Sequence, residues 1–198
     1  MKKKIILIST VVISVTVFLI FIITNSIGRT DSIQEVLDKN PNGNFEIIHE
    51  EYTDKGSILF SINVDNNKKY LSTAFVSKNI FGYKDLYSGV SSIDGLGERD
   101  LTIQYFPAIK QTSLPIYFGV ILNDEIVKVN VRQSNNSEIK NAKIIDTGDI
   151  RIWLTFMEGF KGTDFEIVGY NNSEKEIYKI QDTIPWNVEQ KAQKSPYE

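Results

Sequence analysis

The chain of 198 residues contains no cysteine and a single histidine, His49. Without cysteine there is neither a disulfide framework nor thiolate chemistry, so disulfide-stapled and cysteine-dependent classes are excluded. A histidine-ligated metal site or a histidine base could be built only around His49. Because its neighbours in sequence identify no partner, we expect His49 to be a surface residue.

The chain also lacks an excess of basic residues beyond its N-terminal region. It has 22 Lys and Arg residues against 25 Asp and Glu residues. Lys2–Lys4 and Arg29 all precede the first acidic residue, Asp31, so the rest of the chain carries a formal net charge of −7. An acidic domain repels phosphate backbones, and we therefore expect no nucleic-acid partner.

One long apolar run is present, and it fills residues 5–24 directly after a basic start at residues 1–4. An α-helix needs about 20 such residues to cross a hydrocarbon core of ~30 Å. The positive-inside rule places the lysines in the cytoplasm and the chain after the run outside. The run therefore predicts a single-pass membrane anchor, followed by a polar stalk at residues 25–31.

A cleaved secretory signal is the alternative to an anchor. Signal peptides have a shorter apolar core of ~7–15 residues and a small-x-small cleavage site. The first alanine in the chain is Ala74, so no Ala-x-Ala site follows the run. Ser26-Ile27-Gly28 is a degenerate match, which leaves open cleavage after Gly28 and a secreted product. Apolar length and the missing alanine favour the uncleaved anchor.

The remaining chain predicts a β-rich domain over residues 32–180 and a loose polar tail over residues 181–198. Asp31 or Ser32 can cap a short opening helix, with Gln34 or Glu35 as the capping-box partner. Eleven short runs rich in Ile, Val, Tyr and Phe follow, at residues 45–52, 58–64, 70–78, 84–89, 101–106, 116–122, 126–132, 142–147, 150–156, 165–170 and 176–180.

Turn residues join these runs at short spacing, with no helical pattern between them. Asn123-Asp124, Gly148-Asp149 and the Asn171-Asn172 region fit tight hairpins, and Asp65-Asn66-Asn67 fits a slightly longer one. The continuous apolar run Ile116–Leu122 predicts a central strand buried on both faces. The fold class expected is therefore mainly β, with an antiparallel β-sandwich or barrel-like domain.

Ser137-Glu138-Ile139-Lys140 matches S-x-x-K, the nucleophile signature of penicillin-interacting enzymes. In those enzymes the serine begins a helix, so the lysine one turn later can act on its hydroxyl. Here the match lies in the Asn-rich segment Gln133–Asn141, predicted to be a loop, and the companion K-T-G is absent. We interpret it as a chance match.

Clustered carboxylates are the remaining candidates for chemistry. Asp94, Glu98 and Asp100 share a glycine-containing loop that could coordinate calcium, but the ordered Ca²⁺-loop spacing is missing, and a solvated turn is favoured. Glu50 and Glu51 follow His49 and could form an acid/base cluster. These five acidic residues are the candidates for a carboxylate-dependent hydrolase, and none is assigned as catalytic, cofactor-binding or metal-ligating.

Three clusters combine aromatic residues with glycine: Phe81-Gly82-Tyr83, Tyr117-Phe118-Gly119 and Gly159-Phe160-Lys161-Gly162. Aromatic rings on one sheet face can stack on sugars or peptides, and glycine allows a ligand to approach. Aromatic residues in strands are usually buried, so core packing is favoured for all three clusters. Trp153 is also expected in the core.

These clusters carry a family resemblance, together with Pro115 before the second cluster and Arg151-Ile152-Trp153 between the second and the third. The chain resembles a group of small uncharacterised, N-terminally anchored extracytoplasmic proteins of spore-forming Gram-positive bacteria, over roughly residues 30–180. The resemblance implies an exported β-rich domain and transfers no activity. We therefore expect a membrane-tethered binding module for another envelope protein or a cell-wall component, with a hydrolase of wall polymer or peptide as the alternative.

Overall fold

A computed structural model describes residues 2–38, 45–65, 68–93, 99–108, 114–134 and 138–184. Within these ranges the chain forms two helices and twelve strands. Their bounds are α1 Lys2–Ser26, α2 Ile33–Asp38, β1 Glu46–Thr53, β2 Gly56–Asp65, β3 Lys68–Asn79, β4 Gly82–Ser92, β5 Gln104–Phe106, β6 Ile116–Ile121, β7 Lys128–Gln133, β8 Ile139–Asn141, β9 Lys143–Asp146, β10 Arg151–Phe156, β11 Asp164–Tyr170 and β12 Glu176–Thr183.

The strands form three four-stranded antiparallel sheets, so the predicted fold class is confirmed. Sheet A has the order β1-β2-β3-β4, sheet B β5-β6-β10-β9 and sheet C β12-β11-β7-β8. Sheet B lies in the middle, because Phe118 and Val120 of β6 pack into a core with sheet A, while Tyr117 and Ile121 pack into a second core with sheet C. The domain is a three-layered sandwich.

Strand β6 is the centre of this sandwich, and all six of its residues are buried, as predicted. Gly119 of β6 pairs with Trp153 of β10. Nε1 of Trp153 donates a 2.9 Å hydrogen bond to the carbonyl oxygen of Thr102. A Cβ atom on Gly119 would lie 1.9 Å from that oxygen, so glycine is required where this backbone crosses. The predicted burial of Trp153 is confirmed.

Three of the four predicted hairpins form: β9 turns into β10 at Gly148-Asp149, β11 into β12 after Asn171, and β2 pairs with β3. The prediction of a tight hairpin at Asn123-Asp124 is wrong, because β6 and β7 belong to different sheets. The guanidinium of Arg151 donates to the carbonyls of Asn123 and Ile126, at 2.9 and 2.8 Å, and holds the chain in this crossing.

Two further boundaries differ from the prediction. Ile139–Asn141, expected in a loop, forms β8 because its backbone pairs with β7. Strand β12 continues to Thr183, three residues into the segment predicted as a polar tail, and Ile184 after it is buried. Residues 185–198, with Trp186, lie outside the described ranges.

The short helix α2 covers the outer face of sheet A. Oγ of Ser32 accepts a 3.2 Å hydrogen bond from the backbone N–H of Glu35, and the Glu35 carboxylate accepts one of 3.1 Å from the N–H of Asp31. This reciprocal cap confirms the predicted start of the helix. Val36 and Leu37 are buried in a third cluster with side chains of β2 and β3. The predicted helix stop at residues 40–43 lies outside the described ranges.

Candidate functional site

The cluster His49-Glu50-Glu51 lies on edge strand β1. Glu51 is 3.1 Å from Nε2 of His49 and accepts a 2.6 Å hydrogen bond from Nζ of Lys143. Burial opposes ionisation of Glu51, but these two partners outweigh it, so the pKa of Glu51 lies below its usual value. Glu50 lies on the other strand face and accepts a 2.9 Å hydrogen bond from Tyr52. His49, expected at the surface without a partner, is instead half-buried.

Asp100 lies on the opposite side of the sandwich from Glu51. Its Oδ1 accepts a 2.7 Å hydrogen bond from Asn123. Asp100 flanks the β5 edge of sheet B and Glu51 contacts the β9 edge, so three strand spacings, roughly 14 Å, separate them. Glycosidase carboxylates lie about 5–10 Å apart. Asp94 and Glu98 lie outside the described ranges. Of the other three candidates, Glu50 and Glu51 are consecutive residues on opposite faces of β1, and Asp100 is remote from both, so the three do not converge on one cleft.

The S-x-x-K match does not form the geometry that the motif requires. Ser137 lies outside the described ranges, and Lys140 lies on strand β8 and not on a helix. Nζ of Lys140 donates to the carbonyl oxygens of Phe156, at 3.3 Å, and Glu158. Its amine is therefore engaged with backbone acceptors. Within the described ranges, no group of three or more acidic or histidine side chains could hold a metal ion.

The outer face of sheet C carries a charged network that sequence reasoning missed. Arg132 contacts Glu176 at 2.6 Å and Glu166 at 3.3 Å, and it also donates to the Tyr170 hydroxyl; Lys179 contacts Glu166 at 2.6 Å. The hydrogen bond from Arg132 lowers the pKa of Glu176. With its pKa lowered, the Glu176 carboxylate stays ionised at neutral pH, which disfavours it as a general acid. Its two cationic and two anionic side chains balance in charge, and we interpret the network as stabilising sheet C.

Two of the three aromatic–glycine clusters pack in the core, as predicted: Tyr117, Phe118 and Phe160 are buried. The core prediction is wrong for Phe81, which lies outside the three core clusters. Its ring instead meets the ring of Phe21 on α1 edge-on, with centroids 6.3 Å apart. Ile80 and Phe81 form an apolar pair at the turn between two predicted β runs, where polar residues are usual. That composition is the sequence signal that could have distinguished this cluster.

Phe81 lies beside the junction, the name used here for residues 27–30 with Gly82 and Tyr83. Helix α1 ends at Ser26, and Gly28 adopts a left-handed conformation with φ +74°, typical of a helix C-cap. Nε of Arg29 donates 2.8 Å to the Asn25 carbonyl of the last helical turn. Nη1 of the same guanidinium donates 3.0 Å to the carbonyl of Gly82. A cation there also complements the negative end of the helix dipole.

A two-way backbone bridge completes the junction. The N–H of Thr30 donates to the carbonyl of Tyr83 at 2.8 Å, and the N–H of Tyr83 donates to the carbonyl of Thr30 at 2.9 Å. Gly82 has φ +109°, and a Cβ atom there would lie 2.2 Å from the oxygen of Thr30. The segment predicted as a polar stalk is therefore paired with β4, and only glycine at position 82 admits this approach.

Helix α1 itself is long and apolar enough to cross a membrane, and none of its 19-residue apolar stretch, Ile8–Ser26, is buried against the domain. A membrane anchor and a signal sequence both satisfy this description. No protein family, curated protein or solved structure matches the chain. A functional conclusion therefore depends on the helix, the junction and the surfaces described above.

Proposed function

We propose that the protein is a membrane-tethered extracytoplasmic module that acts by binding, with its N-terminus in the cytoplasm and its β domain outside. The observation that carries this proposal is the junction, which joins an exposed apolar helix directly to a sheet. Exposed apolar side chains along a whole helix are costly in water and favourable in lipid.

The junction also favours retention of the helix over cleavage. The degenerate site Ser26-Ile27-Gly28 falls at the end of α1, immediately before two residues that hydrogen-bond to the Gly82-Tyr83 segment. Cleavage after Gly28 would separate the anchor from the guanidinium that caps it.

Binding is favoured over hydrolysis by the state of Glu51, a hydrolase candidate, and of Glu176 on sheet C. Glu51 and Glu176 are committed to cationic partners that lower their pKa values, whereas a general acid needs a raised pKa. We propose another envelope protein or a cell-wall component as the partner. The acidic domain adds electrostatic selection against polyanions.

Membrane topology is the first test, and the lack of native cysteine makes it clean. Val64→Cys places a thiol at a 60% exposed position at the end of β2, and Lys4→Cys places one in the basic start. A membrane-impermeant maleimide should label position 64 in intact cells and position 4 only after permeabilisation. Labelling of position 64 only after lysis, or a mature chain in the medium that begins near Arg29, would overturn the tether.

The binding part is tested separately on the full-length protein in detergent. We expect it to sediment with isolated cell walls or, if the partner is a protein, to give a discrete crosslink to an envelope protein in intact cells. Heat-denatured protein is the matched control for non-specific adhesion. If the native chain neither sediments with walls nor crosslinks, the binding proposal fails while the topology result stands.

A further inference from the structure

The turn between β3 and β4 has an unusual composition for a solvent-facing turn. Its two residues, Ile80 and Phe81, are here called the hairpin tip. Ile80 is 89% exposed, more than any other large apolar side chain described between residues 8 and 184. Turns in water are built mainly from Gly, Pro, Asn, Asp and Ser, because these residues satisfy the backbone locally. An exposed isoleucine at the apex therefore leaves apolar surface available to an apolar partner.

The position of the hairpin tip relative to α1 indicates that partner. The ring of Phe81 touches that of Phe21, which lies three residues before the end of the apolar run. At 1.5 Å per residue, Phe21 is about 4.5 Å inside the hydrocarbon boundary when residues 5–24 span the bilayer. Those residues give a helix of about 30 Å, which matches the hydrocarbon thickness without large tilt. The hairpin tip thus reaches the outer boundary of the hydrocarbon.

The residues around the hairpin tip suit the lipid–water interface. Lys78 and Lys84 flank it on the two strands, and both have long stems that can extend toward phosphate groups. Nζ of Lys78 lies 5.1 Å from the ring centroid of Tyr83. Tyr52, on the neighbouring hairpin, is 76% exposed. Tyrosine and lysine are the residues that anchor proteins at membrane interfaces.

We propose that the hairpin tip is a second membrane contact, in which Ile80 and Phe81 insert into the outer leaflet beside α1. Lys78 and Lys84 then lie at the level of the lipid phosphates. The occupant of this surface is the phospholipid bilayer, because the hairpin tip continues the apolar surface of α1. This inference deepens the proposed function and rests on α1 spanning the membrane. It adds that the domain has a fixed orientation on the bilayer, with the hairpin tip facing the lipid.

The experiment places single cysteines in the full chain, where no native thiol competes. Ile80→Cys carries an environment-sensitive fluorophore in phosphatidylcholine proteoliposomes. Ile139→Cys is the matched control, because Ile139 is also an exposed isoleucine, 53% exposed, on sheet C. Leu19→Cys reports whether α1 is in the bilayer. Lipids brominated near the top of the acyl chain quench only labels at that depth.

We expect the label at position 80 to show blue-shifted emission and quenching by the brominated lipid, while the label at position 139 shows neither. If position 80 behaves like position 139 while position 19 is quenched, the helix is inserted and the hairpin tip is not, and this proposal is overturned alone. If the label at position 19 shows neither quenching nor blue-shifted emission, α1 is outside the bilayer, and the proposed tether falls together with this contact.

Discussion

The junction makes a quantitative prediction through its glycine. Gly82→Ala adds a methyl group to a residue with φ +109°, at 2.2 Å from the carbonyl oxygen of Thr30. Gly148→Ala is the matched control, because Gly148 has φ +85° and no atom lies within 4 Å of the added Cβ. The control measures the free-energy cost of the backbone conformation alone. The difference between the two variants measures the free energy of the contacts that residues 27–30 make with β4.

The magnitude follows from the contacts that must be broken. A left-handed conformation costs a non-glycine residue about 1–2 kcal/mol, which is the expected effect of Gly148→Ala. In Gly82→Ala the Thr30 oxygen must also move by roughly 1 Å to restore an allowed contact. That movement disrupts the two Thr30–Tyr83 hydrogen bonds and the one from Arg29. At about 0.5–1.5 kcal/mol each, they add about 1.5–4.5 kcal/mol.

Amide hydrogen exchange of the full chain in detergent micelles measures this difference locally. The Tyr83 amide should exchange at least about 10-fold faster in Gly82→Ala than in Gly148→Ala, since 1.4 kcal/mol corresponds to a factor of ten. The amide of Phe118, in the centre of the sandwich, should be unaffected by comparison. Equal exchange at Tyr83 in the two variants would refute the paired junction and the close approach on which it depends.

Three further predictions concern the domain itself. Gly119→Ala should destabilise by about 3 kcal/mol in urea unfolding, because its Cβ would collide with the Thr102 oxygen, whereas Gly89→Ala, whose nearest contact is 3.5 Å, should stay within about 1 kcal/mol of wild type. Glu51→Gln should cost about 1 kcal/mol at pH 7, and this difference should shrink as pH falls through the lowered pKa of Glu51, because protonation then removes the same interaction from the wild type. Burial raises the pKa of Asp85 above its ordinary value of 3.8, so Asp85→Asn should melt higher than wild type at pH 8, and the advantage should shrink as pH falls and vanish only well below pH 3.8, where Asp85 is protonated in both the folded and unfolded wild type.

Local features of the sequence predicted the elements that local physics controls. The apolar length of residues 5–24 indicated α1, the Ser32–Glu35 pair indicated the cap of α2, and the two-sided apolar run of β6 indicated a central strand. The crossing at Asn123-Asp124 was mispredicted, because its turn residues suit a hairpin equally well. Hydrogen bonds from the distant Arg151 hold the chain in this crossing, and no local pattern encodes them.

The candidate site was predictable to a smaller extent. Phe81-Gly82-Tyr83 was recognised as a cluster, but its contact with Phe21 joins segments far apart in the chain, and no local pattern encodes that pairing. Long-range pairing also forms β8, because the short segment Ile139–Asn141 has polar neighbours and becomes a strand only through its hydrogen bonds to β7. Arg29 was counted as a charge, while its two carbonyl acceptors emerge only from the folded chain.

Because the junction is hydrogen-bonded to β4, α1 cannot rotate freely relative to the domain, as it would on a flexible linker. Sheet A extends from this point along β2 for ten residues, about 33 Å at 3.3 Å each. A change of ten degrees in the inclination of α1 would consequently move the far ends of β2 and β3 by roughly 6 Å. In the proposed tether, local bilayer thickness, or a neighbouring protein that contacts the helix, would thereby alter the height and orientation of the surface at those strand ends.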